Sequence, residues 1–423
     1  MKFIYLIITA VILSSSTCKK EDPLDPPPSG VIDPSKPSEL VLDWRSFLAD
    51  NQQEAFSNNP ILNSQQDILM SSLFNPDGRE IFKLFDGKTG KLKWTWDDYL
   101  RNEEGFFNER HLVIGDHVIL SAHNATYAFN MVTGQTVWKN YIDTMYGSPF
   151  IFKDESGYVY KTFSGEKGRY MVYVFRTRYD QLNWELVCSL KDSTESYTSF
   201  SSSALTATYN KNGDEVIIFT TYKYIGPGTP NKAEVVCYNI TQKKFDWIKD
   251  YSTRYTEFAV ARIKSNQNRV FTFALKGPSF YLTSFDVNTG ELLWENKLQD
   301  FGVGMFLYKN SIIVTCNNST PVRSYYQSTG YMTWEQKFDA TILPKLNFDF
   351  GGSNLFKNYL FSTHCNNMLI LSADNGAVVY FKQGAKDGGC LQNGVAINEM
   401  SRTFYVQDRK YVNCFKIPQE VKY

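Results

Sequence analysis

Three of the four histidines, His111, His117 and His123, fall in one short run, "HLVIGDHVILSAH", and raise the question of a metal. A zinc centre needs its ligand nitrogens about 2 Å from a single ion. Gly115-Asp116 reads as a two-residue hairpin turn, which sets Ile114 opposite His117 and Leu120 opposite His111. His111 then shares a face with Val118 and Leu120, away from His117. His117 and His123 share a face but stand about 20 Å apart along a strand. The run reads as strand composition, and no metal is expected. The serines of "FSSSALTA" (Phe200–Ala207) lack the Gly-x-Ser-x-Gly elbow of a nucleophile, and no Gly-x-x-x-x-Gly-Lys phosphate loop occurs. The reading is non-catalytic, with no cofactor.

The cysteines divide into two groups. Cys188, Cys237, Cys316, Cys365, Cys390 and Cys414 are scattered singly, without a C-x-x-C, and suit neither zinc nor haem. They read as buried thiols in strands, although an oxidising compartment would permit pairing, with Cys365 and Cys390 nearest in sequence. Cys18 is different. It follows Phe3–Leu13, an apolar run of signal-peptide length behind Met1-Lys2, and the small residues "SSST". That arrangement resembles a bacterial lipoprotein, whose Cys becomes the acylated amino terminus. Residues 1–17 are then a signal peptide and 18–38 a tether, with Pro23, Pro26, Pro27, Pro28, Pro34 and Pro37 holding it extended. Lys20-Glu21-Asp22 resembles the signal that sends some Gram-negative lipoproteins to the cell surface. The expected location is the outer membrane, on its periplasmic face or at the cell surface.

The elements that would position any site come from a repeat. "FDGKTGKLKW", "FNMVTGQTVW" and "FDVNTGELLW" share a turn glycine four residues before a tryptophan. The frame gives Gly90/Trp94, Gly134/Trp138, Gly290/Trp294 and Gly330/Trp334, with eroded copies at Trp184, Trp247 and Gly376/Tyr380. Before each turn the residues alternate as in a strand. The Asp or Asn bonds its own backbone, the glycine supplies a positive φ, and the aromatic residue fills the gap to a neighbouring sheet. A repeat of roughly 45 residues with four short strands is the pattern of propeller blades. Trp44 in "LVLDWRS" supplies an eighth anchor. "YVNCFKI" (Tyr411–Ile417) ends before any turn, so the first and last strands are expected to share a blade. The fold class is all-β, an eight-bladed propeller over 39–423.

The repeat resembles the pyrroloquinoline-quinone-like propeller family. With a lipid anchor, it is also similar in architecture to the propeller lipoproteins of the β-barrel assembly machine. Those lipoproteins imply a non-catalytic scaffold with an envelope protein partner. True quinoprotein dehydrogenases share the repeat, but they are longer chains with adjacent cysteines and a calcium-binding acidic cluster, whereas no two cysteines are adjacent here. Lys+Arg and Asp+Glu are both 44, so no global field favours nucleic acid. With 31 Phe and 27 Tyr, sugar stacking on exposed rings is the alternative, a cell-surface glycan-binding role, and an enzyme whose site is assembled from distant propeller loops, with no linear motif, is a second alternative. The interval from Trp184 to Trp247 is the longest. Its surplus points to a candidate binding loop at Gly226, Pro227, Gly228, Thr229, Pro230 and Asn231.

Overall fold

The computed structural model describes residues 39–48, 59–74, 79–100, 111–121, 125–141, 146–154, 156–164, 171–191, 199–224, 232–266, 268–300, 302–316, 321–337, 352–364, 367–382, 391–408 and 410–423. These residues form eight antiparallel sheets of four strands each. Seven are sequential and are numbered here as blades I (61–96), II (111–141), III (146–191), IV (199–250), V (257–297), VI (302–336) and VII (353–382). Blade VIII takes three strands from 391–416 and its fourth from the amino-terminal strand Leu42–Phe47. That strand lies antiparallel to Tyr411–Lys416, with Trp44 opposite Cys414 and Phe47 opposite Tyr411. Pairing the two ends of the chain closes the ring and removes two free sheet edges. The expected eight blades and their closure are both present.

The burial pattern follows from strand position within a blade. Fourth strands alternate, as in Lys244–Asp250, where exposed and half-buried residues take turns. Third strands are covered on both faces, as in Ala125–Asn130 and Lys232–Asn239, and their sequences are correspondingly apolar throughout most of their length. The core is therefore a set of wedges between successive blades. Leu69, Phe82 and Leu84 of blade I pack with Val118, Tyr127 and Phe129 of blade II. Phe271, Phe273 and Leu282 of blade V pack with Ile312, Val314 and Tyr325 of blade VI. Successive blades share these clusters, so no blade is self-sufficient.

Cys188, Cys237, Cys316 and Cys414 are buried free thiols. Burial pushes Cys188, Cys237 and Cys414 up to about 12. At that level the thiolate, the form that reacts or ligates, is scarce. Cys18, Cys365 and Cys390 lie outside the described residues.

Candidate functional site: the blade anchors and the two ends of the ring

Each repeated turn is built by its own first residue. Asp286 Oδ1 accepts from the amides of Asn288 and Thr289 at 2.8 and 2.9 Å. The Gly290 amide donates to the Asp286 carbonyl at 2.8 Å, with the glycine at φ +71°. A bulge follows: Ser284 faces Trp294 while Phe285 faces Leu292, leaving Leu293 unpaired. The same shift precedes Trp94, Trp138, Trp247, Trp334 and Tyr380 in their outer strands, and Trp44 in the strand that closes blade VIII.

Motif residues meet across blade boundaries. The Trp247 indole of blade IV donates to the Val287 carbonyl of blade V at 2.9 Å. A Cβ added to Gly290 would fall 2.6 Å from Trp247 Cε3, well inside contact distance. The tryptophan of one blade thus lies flat on the turn glycine of the next. The pairs Trp44/Gly90, Trp94/Gly134, Trp294/Gly330 and Trp334/Gly376 repeat the close approach. Their indoles donate to the carbonyls of Gly87, Val132, Gln327 and Ala373 at 3.1, 3.2, 3.1 and 3.2 Å. Trp138 donates to the Tyr179 carbonyl of blade III at 3.0 Å.

Trp184 does not occupy the anchor position that the repeat frame assigns to it. In blade III the bulge lies between Cys188 and Leu186, so Cys188 stands where the other outer strands carry their aromatic residue. The turn in blade III runs over 176–185, against 286–291 in blade V, which displaces Trp184 into the turn. Trp184 packs with Trp138, Ile119 and Tyr179 in the wedge between blades II and III. Its indole nitrogen is buried without a hydrogen-bond partner.

The boundary between blades III and IV is fastened by polar groups instead. Tyr160 Oη lies 2.9 Å from Asp154 Oδ2 and 3.0 Å from Glu215 Oε1. Arg176 pairs with Glu185 and stands 3.8 Å from Glu215. Burial, and then the charge of Asp154, hold Glu215 above the usual carboxyl range. In blade IV the turn position that glycine fills in blade V is Lys243, at φ +53°. Tyr380, the remaining anchor, is fully buried between blades VII and VIII with Phe361 and Phe404.

Two histidines of the run from 111 to 123 lie in the first hairpin of blade II. His111 pairs with Leu120 and Ile114 with His117 across the Gly115 turn, as the hairpin reading expects. His111 Nδ1 is buried without a partner, and burial pushes the imidazole down to about 4. The His117 ring rests against Tyr179 of blade III, with centroids 5.0 Å apart. His123 lies outside the described residues. Among the described residues no three His, Cys, Asp or Glu side chains gather at metal-ligand spacing.

The antiparallel order gives the ring two unlike ends. One end carries the turns between first and second strands and between third and fourth strands, which are short and cross-linked between blades. Ser64 of blade I donates its amide and hydroxyl to Asp116 of blade II at 2.8 and 2.6 Å. Lys211 of blade IV donates its amide to Asn288 of blade V at 2.8 Å. The other end carries the turns between second and third strands and the connections from blade to blade. Of those connections, 251–256 is held down by Arg254, which donates to Glu295 at 2.8 Å, and by the Tyr255 hydroxyl on the same carboxylate. The candidate loop from Gly226 to Asn231 lies outside the described residues. The strands leading to it are long, Glu215–Tyr224 and Lys232–Asn239, and pair up to Lys223 opposite Lys232.

No family model matches the chain, and no curated protein matches it in sequence. Among solved structures, the computationally designed protein Ika8 superposes with a TM-score of 0.57 at 15% identity, over 87% of this chain and 98% of that one. Quinohemoprotein alcohol dehydrogenase ADHIIG from Pseudomonas putida HK5 gives 0.57 at 10% identity, over 89% of this chain and 76% of that one. BamB from Moraxella catarrhalis is covered over 100% of its length and 91% of this chain at 12% identity, but its TM-score of 0.40 is too loose to carry an argument. At these identities the likeness shows the fold alone: an eight-bladed β-propeller distantly similar to those of quinoprotein alcohol dehydrogenases.

Proposed function

We propose that this chain is a non-catalytic scaffold of the Gram-negative envelope, lipid-anchored at the outer membrane through Cys18, that displays one end of a rigid ring, the end with the blade-to-blade connections, to a protein partner. Outer-membrane protein assembly is the process this reading favours, by similarity of its anchor and repeat to the propeller lipoproteins of that machinery. The observation that carries the scaffold reading is the mechanical one. Six blade boundaries are fastened by an indole donating to a carbonyl of the next blade, and the chain ends close the circle. A ring so fastened holds the ends of many loops in fixed relation, and a partner can dock without paying to order the platform. The strongly shifted groups support the same reading, since the Cys188, Cys237 and Cys414 thiols, His111 and Tyr160 are all perturbed chiefly by burial within or between blades.

Two measurements test the proposal. Replacing Cys18 with Ser should move the chain from the membrane fraction to the soluble fraction, and unchanged membrane retention would overturn the anchor. Purification of the tagged protein from detergent-solubilised envelope should bring down an outer-membrane protein in stoichiometric amount. Recovery of the chain alone would overturn the protein-scaffold reading.

A further inference from the structure

Blades III and IV meet without the indole that fastens their neighbours, and the groups that replace it lack a hydrogen for one of their contacts. Tyr160 Oη, on the second strand of blade III, stands 2.9 Å from Asp154 Oδ2 in the turn before it. It also stands 3.0 Å from Glu215 Oε1, at the start of the second strand of blade IV. A phenol carries one hydrogen, and an ionised carboxylate only accepts. With both carboxyls ionised, one of the two contacts therefore sets lone pair against lone pair. A single added proton satisfies both. A protonated Glu215 donates to Tyr160 Oη, and the Tyr160 hydroxyl donates to Asp154.

The surroundings place that proton on Glu215. Asp154 is the better-satisfied carboxylate, since its Oδ1 accepts the Tyr158 amide at 2.9 Å. Tyr160 is fully buried, and burial, then the charges of Asp154 and Glu215, hold its hydroxyl far above the ordinary value, so it keeps its hydrogen. Burial raises Glu215 and Asp154 adds to the rise, against the Tyr160 hydrogen bond. Arg176 of the third strand faces Tyr160 and stands 3.8 Å from Glu215, but it is engaged by Glu185 and lies over the Tyr158 ring at 4.4 Å. Arg178 pairs with Asp180, and Lys153 donates to the Val113 carbonyl of blade II. On blade IV, Asp214 accepts from Asn210, Asn239 and Gln242 and feels Lys244, while Tyr209, opposite Glu215, is half exposed. None of these groups puts a hydrogen between Tyr160 Oη and Glu215 Oε1.

We propose that the seam between blades III and IV is a proton latch: one proton taken up on Glu215 closes the Tyr160 bridge between the blades, and its loss opens the bridge. The seam is then firmest in mild acid and loosens as the surroundings become neutral. The sign follows from linkage. Glu215 is raised above its ordinary 4.5 in the folded chain, so its contribution is complete below 4.5 and is lost as pH rises through the raised value. That is the opposite direction to a buried histidine such as His111. The wedge of Val172, Val174, Leu205, Ile217 and Phe219 keeps the two blades together in either state, so the latch sets how firmly they hold their relative position. It needs no partner and stands independently of the envelope assignment.

Hydrogen–deuterium exchange of the full chain between about pH 4.5 and 8, with each rate corrected for its chemical exchange rate, tests the latch. The segments read are 156–164 and 215–224. The strand Ser279–Asp286 of blade V serves as the reference that removes global effects of pH. In the parent chain, both segments should exchange about fivefold more slowly at the acid end than at pH 8, the effect of one buried hydrogen bond. Glu215→Gln supplies a permanent donor and should stay protected at every pH. Asp154→Asn ends the competition for the Tyr160 hydrogen and should also flatten the profile at the protected level. Tyr160→Phe removes the bridge and should flatten it at the unprotected level. Equal protection of the parent chain at both ends would overturn the latch. So would a pH profile that survives in Glu215→Gln and in Asp154→Asn, which would assign the dependence to another group. Where one carboxyl variant does not fold, the parent profile and the other carboxyl variant decide.

Discussion

Lys243, at φ +53°, occupies the turn position that Gly290 fills at φ +71° in the next blade. The left-handed region costs a non-glycine residue roughly 1 kcal/mol, so Lys243→Gly should stabilise the protein by about 1 kcal/mol in chemical denaturation. Gly290→Ala faces both that strain and a Cβ 2.6 Å from Trp247, and should destabilise by about 2–3 kcal/mol. Equal effects of the two changes would show that φ alone, and not the overlying indole, demands glycine. His111 makes a pH prediction. Burial lowers its pKa from 6.5 to about 4, so between those values the unfolded chain holds a proton that the folded chain does not. Stability should therefore fall as pH drops through that window, by up to about 3 kcal/mol. His111→Leu should flatten the fall, and an unchanged profile would place the acid sensitivity elsewhere. The glycine and tryptophan positions were legible because their types and offset repeat. What lay outside that pattern was their meeting between blades, since nothing in a single copy says which neighbour a tryptophan touches.

At the scale of the blade, the outer strand carries the junction. Trp294 packs on Phe271 within the wedge between blades V and VI and bonds the Gln327 carbonyl at 3.1 Å. Trp294→Ala should lower stability by about 3–5 kcal/mol, and a loss below about 1 kcal/mol would contradict its place in the wedge. A comparison with Trp184 isolates the hydrogen bond. The Trp184 nitrogen is buried without a partner, so Trp184→Phe removes a polar atom that contributes nothing, whereas Trp294→Phe orphans a carbonyl. The second change should cost about 1 kcal/mol more than the first. Blade number and closure were readable from sequence because each copy combines alternating strands with a turn signal, and because the last copy lacks the strand that the first supplies. Blade III was misaligned for an equally physical reason. Its turn over 176–185 has neither the glycine nor the Thr-Gly pair that marks the frame, so the repeat offset selects the nearest tryptophan, Trp184, where the structure places Cys188.

For the whole molecule, the difference between the ends of the ring is the feature that function must use. One end is locked by contacts such as Ser64 with Asp116 and Lys211 with Asn288, while the other carries the blade-to-blade connections, of which 251–256 is held by Arg254 on Glu295. Which tyrosines are exposed was not legible, because abundance of tyrosine does not reveal exposure: among the described residues Tyr331 is 74% exposed, whereas Tyr127, Tyr160 and Tyr405 are buried. The most direct test of rigid display is in-cell photocrosslinking from one exposed position at each end. Pro278 lies in the turn between second and third strands of blade V, and Asn212 in the turn between first and second strands of blade IV. A photoreactive residue at 278 should crosslink to an outer-membrane protein, and one at 212 should not. A protein captured equally from both positions, or from 212 alone, would contradict display from the long-connection end.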